Sequence, residues 1–508
     1  MLGNIIKFVF NLLYQIIDYL NTCTMNLRNI LTGCALAIIA MAAPAEEIII
    51  LHTNDTHSAL DPDDKNLGGV LRRKVLIDSI RQEKPGRVLL VDCGDAVQGT
   101  LYYTLYKGEV ERKMMNALGY DIAILGNHEF DNGLEVLANE LSQLDADLIT
   151  TNYDLSETPL DSLFTPYTIK TIGDCKIGFL AINLDPKGMI ADSNAGKVKY
   201  TDGIKAANAM AWYLRNVEHT DKVIALTHVG YDTQNPPTPS DIELASSTEG
   251  IDIIIGGHSH TAVNPSKSRP AWKVPNAAGD TVLVAQAGSR GHYLGEITVD
   301  KDSPRAGYRL ISVDKRLDNR IDSETAAILY PYRQGVDSLK TMKIGRLAQE
   351  FTVGSQLLLN WVADAMRDMG SRLTDRTVDV AIVNKGGIRR GLPAGHITKE
   401  MIMTMLPFDN KLVVMQLTGR DLMASIDVMK GRGGDGISGG VDISSIDPDK
   451  TYTVVTIDYL AQGGDYMKPL TRGKIMTRSE KRLDETMIDY IEGQHNRKIT
   501  YRDDRPRM

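Results

Sequence analysis

Cysteine is scarce: the chain holds 4 in 508 residues, and only Cys93 and Cys175 lie beyond residue 45. That excludes a disulfide scaffold and a structural Cys₄ zinc site. Basic charge is not in excess either. Lys and Arg total 57 against 65 Asp and Glu, a formal net charge of −8, the wrong sign for a protein that holds a nucleic-acid polymer by its phosphates. There is no internal repeat and no heptad run, which sets aside solenoids and coiled coils. Phe numbers 7, so no aromatic surplus calls for explanation. What remains is ordinary globular composition, 43% hydrophobic and 24% charged, with 44 Gly suited to many strand-end turns. At roughly 100–200 residues per domain the length suggests two to four domains.

Apolar runs concentrate in the first 45 residues. Ile5 to Leu20 is broken by Lys7, Asn11, Gln15 and Asp18, whereas Ile30 to Ala42 is unbroken by charge. Arg28 after Met25 gives a positive start, and Ala43-Pro44-Ala45 puts small residues at the cleavage positions. This is the architecture of a secretory signal peptide, too short for a spanning helix of about 20 residues. The expectation is a start at Met25, cleavage after Ala45, and an exported protein, periplasmic or cell-surface, that touches the membrane only through this segment. Two alternatives compete: a lipoprotein signal at Leu31-Thr32-Gly33-Cys34, whose apolar core would lie mostly after Cys34, and an anchor built from residues 1–43. Cys93, beside an apolar run, reads as a buried free thiol.

From Glu46 to about Asp300, short β-branched runs alternate with stretches of helical spacing. The runs are Glu47–Leu51, Arg87–Val91, Ile122–Leu125, Leu148–Thr151, Lys176–Ile182, Lys222–Leu226, Ile251–Ile255, Thr281–Ala285 and Leu294–Val299. They read as strands buried on both faces, and the alternation implies a layered α/β domain. Residues 318–343 predict a polar helical linker broken at Tyr330-Pro331. A second, smaller α/β domain follows over 344–490, with an amphipathic helix at Leu357–Met369 and strands at Val378–Val383, Lys411–Leu417 and Thr451–Ile457. Gly431–Gly440 contains six glycines and predicts a flexible loop. The charged tail, 491–508, predicts fraying.

The chain has 10 His, and five follow strand candidates. The clusters are Asn54-Asp55-Thr56-His57, Asp92-Cys93-Gly94-Asp95, Gly126-Asn127-His128-Glu129-Phe130-Asp131, Thr227-His228-Val229-Gly230 and Gly256-Gly257-His258-Ser259-His260. In an open α/β sheet the carboxyl ends of parallel strands share one crevice, so ligands spread over 200 residues converge there. Asp55 and His57, like His258 and His260, are spaced to present two side chains to one site. Carboxylate, imidazole and amide oxygen suit Zn²⁺, Mn²⁺ or Fe. Asp55, His57, Asp95, Asn127, His228, His258 and His260 are too many ligands for one tetrahedral ion and suit two, with Asp95 as the bridge. A lone Asp-x-His, or His228 alone, is as often structural; the ordered set at successive strand ends is not. His52, His219, His292, His396 and His495 lack that context.

This order of motifs resembles the calcineurin-like metallophosphoesterases and, within them, the 5′-nucleotidase family, which includes bacterial UDP-sugar hydrolases and 2′,3′-cyclic-nucleotide phosphodiesterases. In the second half, Asn384-Lys385-Gly386-Gly387-Ile388-Arg389, Leu406-Pro407-Phe408 and Ala461-Gln462-Gly463-Gly464-Asp465 carry the resemblance. It implies a layered αββα metallophosphoesterase domain over 46–317 and a nucleotide-binding α/β domain after the linker. It implies two divalent ions, one held by Asp55, His57, Asp95 and His260, the other by Asp95, Asn127, His228 and His258. Metal-bound hydroxide would attack the phosphate ester of a nucleoside 5′-monophosphate, with His128 and Asp131 as the catalytic pair. Asn384, Gly386, Gly387, Arg389, Phe408 and Tyr466 would hold the nucleotide, Arg389 gripping phosphate and Phe408 stacking on the base.

Two departures from the family pattern stand out. Many relatives carry another phosphate-binding Arg just before the helix containing Asn360, but no basic residue lies between Glu350 and Arg367; Lys385 and Arg390 are the candidates to compensate. Relatives also place an aromatic after Gly-Gly-Asp-Gly, whereas here Tyr466 stands at the Gly position and Met467 at the aromatic one. These departures keep open a cyclic phosphodiesterase/3′-nucleotidase or a UDP-sugar hydrolase with the same centre, and a non-catalytic surface binding protein as a third reading.

Overall fold

The computed structural model describes residues 10–17, 47–232, 236–303 and 306–508. Met1–Glu47 and Ile48–Met508 are separate units. In the first, residues 10–17 are helical; the signal and cleavage features, Met25 to Ala45, lie outside the described residues. No helix among the described residues is long and apolar enough to cross a membrane.

The second unit begins with two six-stranded sheets packed face to face. In the first, Ile48–Thr53, Val88–Asp92, Ile122–Ala123 and Asp147–Leu148 run parallel, and Tyr293–Val299 and Gly307–Ser312 close one edge antiparallel. In the second, Cys175–Asn183, Lys222–His228, Ile253–Ile255 and Thr281–Ala285 run parallel. The period of two in the sequence sorts the faces. Ile48 and Ile50 turn inward with Leu89, Val91, Phe179, Ile224, Leu226 and Ile255 into the core between the sheets. Ile49, Leu51 and Leu90 face helices Val70–Glu83 and Glu109–Leu118. Leu180, Ile182, Val223 and Ala225 face helix Gly203–Asn216. Both faces of both sheets are thus apolar, and each fully buried Ile or Leu contributes about 1.5–3 kcal/mol. Helix, sheet, sheet, helix is the expected layering. Cys93 and Cys175 are free and buried.

Beyond residue 340, Gly436–Ile437, Val380–Val383, Thr451–Ile457, Lys411–Thr418 and Lys474–Arg482 make a five-stranded sheet, covered by helices Gln356–Thr374, Gly419–Gly431 and Leu483–Glu492. Three expectations change. Helix Ser323–Lys340 runs through Pro331 rather than breaking there. Its N-terminus is capped by the Asp322 side chain, and Arg333 bonds Asp61 while Tyr332 bonds Glu109 at 2.5 Å, so tertiary contacts offset the hydrogen bond the proline removes. The glycine-rich segment is anchored where Ile437 and Gly436 pair with Ile382 and Val383. The tail does not fray: Lys498–Ile499 pairs with Arg346–Leu347. Arg507 then grips Asp364 through both terminal nitrogens, at 2.7 and 2.8 Å, and the Asn360 amide donates to the Asp503 and Arg505 carbonyls. The charge that suggested a solvated tail is consumed in pairs.

Candidate metal centre

Each motif sits just beyond the carboxyl end of a parallel strand, or at its last residue in the case of His228. The turns there are tight. Asp55, His57, Asp95, His258 and His260 all adopt left-handed φ, between 49° and 77°, a costly conformation for residues with a side chain and one that clusters at functional sites. Glycine permits the close approach. A Cβ on Gly126 would lie 2.2 Å from Asp95 Oδ1, and one on Gly257 2.8 Å from His228 Nδ1. This is the physical reason for the Gly-Asn-His-Glu and Gly-Gly-His spellings.

The seven predicted ligands meet in two adjoining groups. Asp55, His57 and His260 bring ligand atoms within 4.8 Å of one another, as do Asp95, His228 and His258. Asn127 joins the second group, its Oδ1 2.9 Å from His258 Nδ1. Asp95 Oδ2 lies between the groups, 3.2 Å from His228 Nε2 and 3.9 Å from His57 Nε2. Backbone carbonyls fix the rings: His57 Nδ1 is 3.3 Å from Val97 O and His228 Nδ1 2.7 Å from Cys93 O, aiming each Nε2 inward, the orientation that a metal-ligating imidazole needs. Apart from its 3.2 Å ion-pair contact with Asp95, the buried His228 Nε2 has no hydrogen-bond partner among the described residues. The donor set therefore fits cations of the borderline class.

The electrostatics agree. Burial depresses His258 to about 3 and His260 to about 4, and holds His57 well below the usual imidazole range. Burial also works against a charged His228, but the Asp95 carboxylate more than offsets it and raises this imidazole to about 10. Burial lifts Asp55 to about 7, with His228 opposing and Asp95 adding to the rise. The pocket is one that draws positive charge toward Asp95 while keeping most of its imidazoles neutral.

His128 lies beside the ligands, its ring 5.4 Å from that of His57. Its backbone N–H donates to Asp95 Oδ1 at 2.9 Å, and its Nδ1 is 2.9 Å from Asp131 Oδ2. Burial disfavours its charged form, but Asp131 and Asp95 outweigh that and raise it above the usual value. Two supporting residues were not singled out from the sequence. The buried Glu129 carboxylate accepts the N–H groups of Asp95, Ala96 and Gly126 at 2.7–3.0 Å, tying two motif loops together. Asn54 donates to Asp55 Oδ2 at 2.6 Å and to Gly288 O at 2.8 Å. Both stand inside motifs read for their neighbours; a polar residue wedged among ligands was the available signal.

A cavity of about 500 Å³ opens from these ligands toward the C-terminal sheet. Asp95, Asn127, His128, His258 and His260 line one end, and Asn384, Gly386, Gly387, Arg389 and Phe408 line the wall from the second half. Arg389 faces the Phe408 ring at 5.6 Å. Tyr466 is not among the lining residues: it is exposed, and a Cβ on Gly188 would lie 2.8 Å from its ring. Met467 is buried. Lys385 and Arg390 are not lining residues either, while Tyr459, Arg432 and Asp465 are. Asp465 is held by the Asn384 amide and Arg432 at 2.7 Å each and by the Tyr459 hydroxyl at 3.0 Å.

Residues 48–262 match the family described as calcineurin-like phosphoesterase, and residues 340–438 match the 5′-nucleotidase C-terminal domain. The chain is 30% identical to a 5′-nucleotidase of Bos taurus, covering 86% of this chain and 87% of that one. It is 26% identical to the trifunctional nucleotide phosphoesterase YfkN of Bacillus subtilis, over 88% of this chain and 34% of that longer protein. The solved structure of a 5′-nucleotidase precursor from Thermus thermophilus superposes with a TM-score of 0.75 at 28% identity, covering 89% and 99% of the two chains. With its ligand groups at the strand ends and both halves matched, the chain belongs to the 5′-nucleotidase family of metal-dependent phosphoric ester hydrolases.

Proposed function

We propose that this chain is an exported hydrolase of nucleoside 5′-monophosphates with two divalent ions, Zn²⁺, Mn²⁺ or Fe. The observation that carries the reading is Asp95, whose carboxylate lies 3.2 Å from a ligand nitrogen of one group and 3.9 Å from one of the other. Asp55, His57, Asp95 and His260 would hold one ion, and Asp95, Asn127, His228 and His258 the second. When bound, the cations lower the pKa of a water nucleophile and neutralise phosphoryl charge. The protein does the rest. His128, with Nδ1 committed to Asp131, keeps Nε2 for a phosphoryl oxygen, and the Asp131 and Asp95 carboxylates raise its pKa and so favour its protonated form. Arg389 holds the phosphate from the opposite wall, Asn384 and the Gly386-Gly387 backbone line the sugar path, and Phe408 offers a face to the base. The domains read as 46–317, a linker at 318–343 and 344–490, which puts the cavity at their junction. A leader starting at Met25 and cleaved after Ala45 would direct the chain to export.

The position of Tyr466 favours a second reading. With that ring beside Gly188 and Met467 buried, the base has one aromatic wall from the family pair, which suits a cyclic phosphodiesterase/3′-nucleotidase or UDP-sugar hydrolase as well. The test is phosphate release from AMP by the purified chain with Mn²⁺ or Zn²⁺, profiled against 2′,3′-cyclic AMP and UDP-glucose. Preference for AMP supports the first reading, preference for either other substrate the second, and inactivity on all nucleoside monophosphates rejects the first.

A further inference from the structure

The cavity wall of the second half rests on a segment that glycine should leave loose. Gly431–Gly440 contains six glycines, and ordering glycine costs more backbone entropy than ordering any other residue. Strand pairing within it is limited to Gly436 and Ile437, opposite Val383 and Ile382. Yet the wall is tied to this segment. The buried Asp435 carboxylate accepts the Lys385 N–H at 2.8 Å, one residue after Asn384. Arg432 donates to the Asp465 carbonyl and carboxylate at 2.7 Å each, and the same carboxylate accepts the Asn384 amide at 2.7 Å. Asn384, Arg432 and Asp465 all line the 500 Å³ cavity.

The tail fixes the segment from outside. Strand Lys498–Ile499 anchors it on Arg346–Leu347, and the Asn360 amide holds the Asp503 and Arg505 carbonyls at 3.0 Å. That path delivers Arg507 to the far end of the glycine-rich segment. Its Nη1 donates to the Ile437 carbonyl at 3.0 Å and to Asp364 Oδ1 at 2.7 Å; its Nη2 donates to Asp364 Oδ2 at 2.8 Å. Asp364 Oδ1 in turn accepts the Gly439 N–H at 2.8 Å, and the Tyr501 hydroxyl donates to Oδ2 at 2.5 Å. The residues on both sides of Ser438 are thus tied to one carboxylate–guanidinium pair. The Arg507 side chain is 13% exposed and that of Asp364 25%, so the pair escapes most of the screening that weakens surface ion pairs. Neither residue lines the cavity.

A bidentate guanidinium sets its partner in angle as well as distance, and a wall already ordered loses no binding energy to ordering itself. We propose that Arg507 is a positioning residue for the substrate. It pins the glycine-rich segment through Asp364 and the Ile437 carbonyl, and the pinned segment holds Asn384 and Asp465 in place at the cavity. The inference rests on the reading of that wall as the one that receives the nucleotide.

The test is AMP turnover by the Mn²⁺-loaded full chain and its R507Q, R507K and D364N variants, with amide hydrogen exchange measured on each. R507Q should raise KM for AMP about tenfold and leave kcat within about twofold of the parent, because the wall loosens and the metal centre is untouched. D364N should do the same, and the R507Q/D364N double variant no more, since both break one joint. R507K should fall between, because an ammonium does not span both Asp364 oxygens. Exchange should quicken over residues 384–390 and 433–440 and stay unchanged in strand Ile48–Thr53. A KM within about twofold of the parent, or a fall in kcat alone, overturns the proposal, because the tail then stabilises the fold without positioning the wall. If R507Q folds poorly, R507K carries the same comparison. A parent chain inactive on AMP rejects the nucleotidase reading, and exchange then decides the joint by itself: faster exchange over 384–390 in R507Q keeps it, and unchanged exchange overturns it.

Discussion

The two walls of the cavity are built to different standards. On the sandwich side most candidate ligands are doubly fixed: five of them are held at left-handed φ, and His57 and His228 have their second nitrogens against carbonyls. Glu129 ties two of the loops to one carboxylate. On the opposite side Gly386 is exposed, Arg389 has only a ring for company, and the clamp position is altered at Tyr466 and Met467. The contrast teaches where chemistry tolerates change. Ligand geometry must hold to a fraction of an ångström, whereas a substrate's distal groups can be met in several ways.

Five experiments probe that contrast, in falling order of expected effect. Asp95→Asn removes the shared carboxylate and should lower kcat for phosphate release by more than about 10³-fold; a loss confined to KM would make the two walls equivalent. His128→Ala should cost about 10²–10⁴-fold in kcat, the usual scale for a positioned proton donor, and flatten the pH–rate profile.

Acid should also separate the halves. Buried His52, stacked on Tyr308 in the sandwich, is depressed by burial to about 3, whereas His396 and His495 in the second half are exposed. A His with a lowered folded value binds fewer protons native than unfolded, so its stabilising effect is full above the unfolded value near 6.5 and is lost as pH falls toward 3. Near pH 4.5 His52 alone should make the sandwich less stable by about 2–3 kcal/mol, and His52→Leu should reduce the acid dependence in urea unfolding by that share, leaving the part due to His57, His258 and His260. An unchanged dependence would show that other groups carry it.

Glu129→Gln should weaken metal affinity by about 10–100-fold, as supporting residues around metal ligands do, measured by chelator competition; an unchanged affinity removes Glu129 from the positioning set. Smallest is the opposite wall, where Phe408→Ala should raise KM for AMP by about tenfold with kcat nearly unchanged, a loss of uniform binding. A kcat effect as large as that of His128→Ala would erase the distinction drawn here.

The layering and the convergence of the candidate ligands were legible because each leaves a local mark. Buried strands show as β-branched runs such as Ile48–Leu51, and a metal centre shows as Asp, His and Asn after such runs, next to Gly that lets backbones touch. What escaped depends on partners far away in sequence. Glu129 earns its place from three N–H groups in two loops. The tail looked solvated until Arg507 met Asp364. Tyr466 looked like a displaced clamp residue, but its ring lies beside Gly188, a neighbour no local pattern names.

Everything turns on segments between residues 55 and 260 closing around two cations that share Asp95. Metal content of the purified full chain, after Mn²⁺ or Zn²⁺ loading and desalting, tests this most directly when joined to anomalous scattering from the same crystals. The account predicts two ions per chain, one among Asp55, His57 and His260, the other among Asn127, His228 and His258, with Asp95 between. No retained metal, or ions seated away from Asp95, would contradict it.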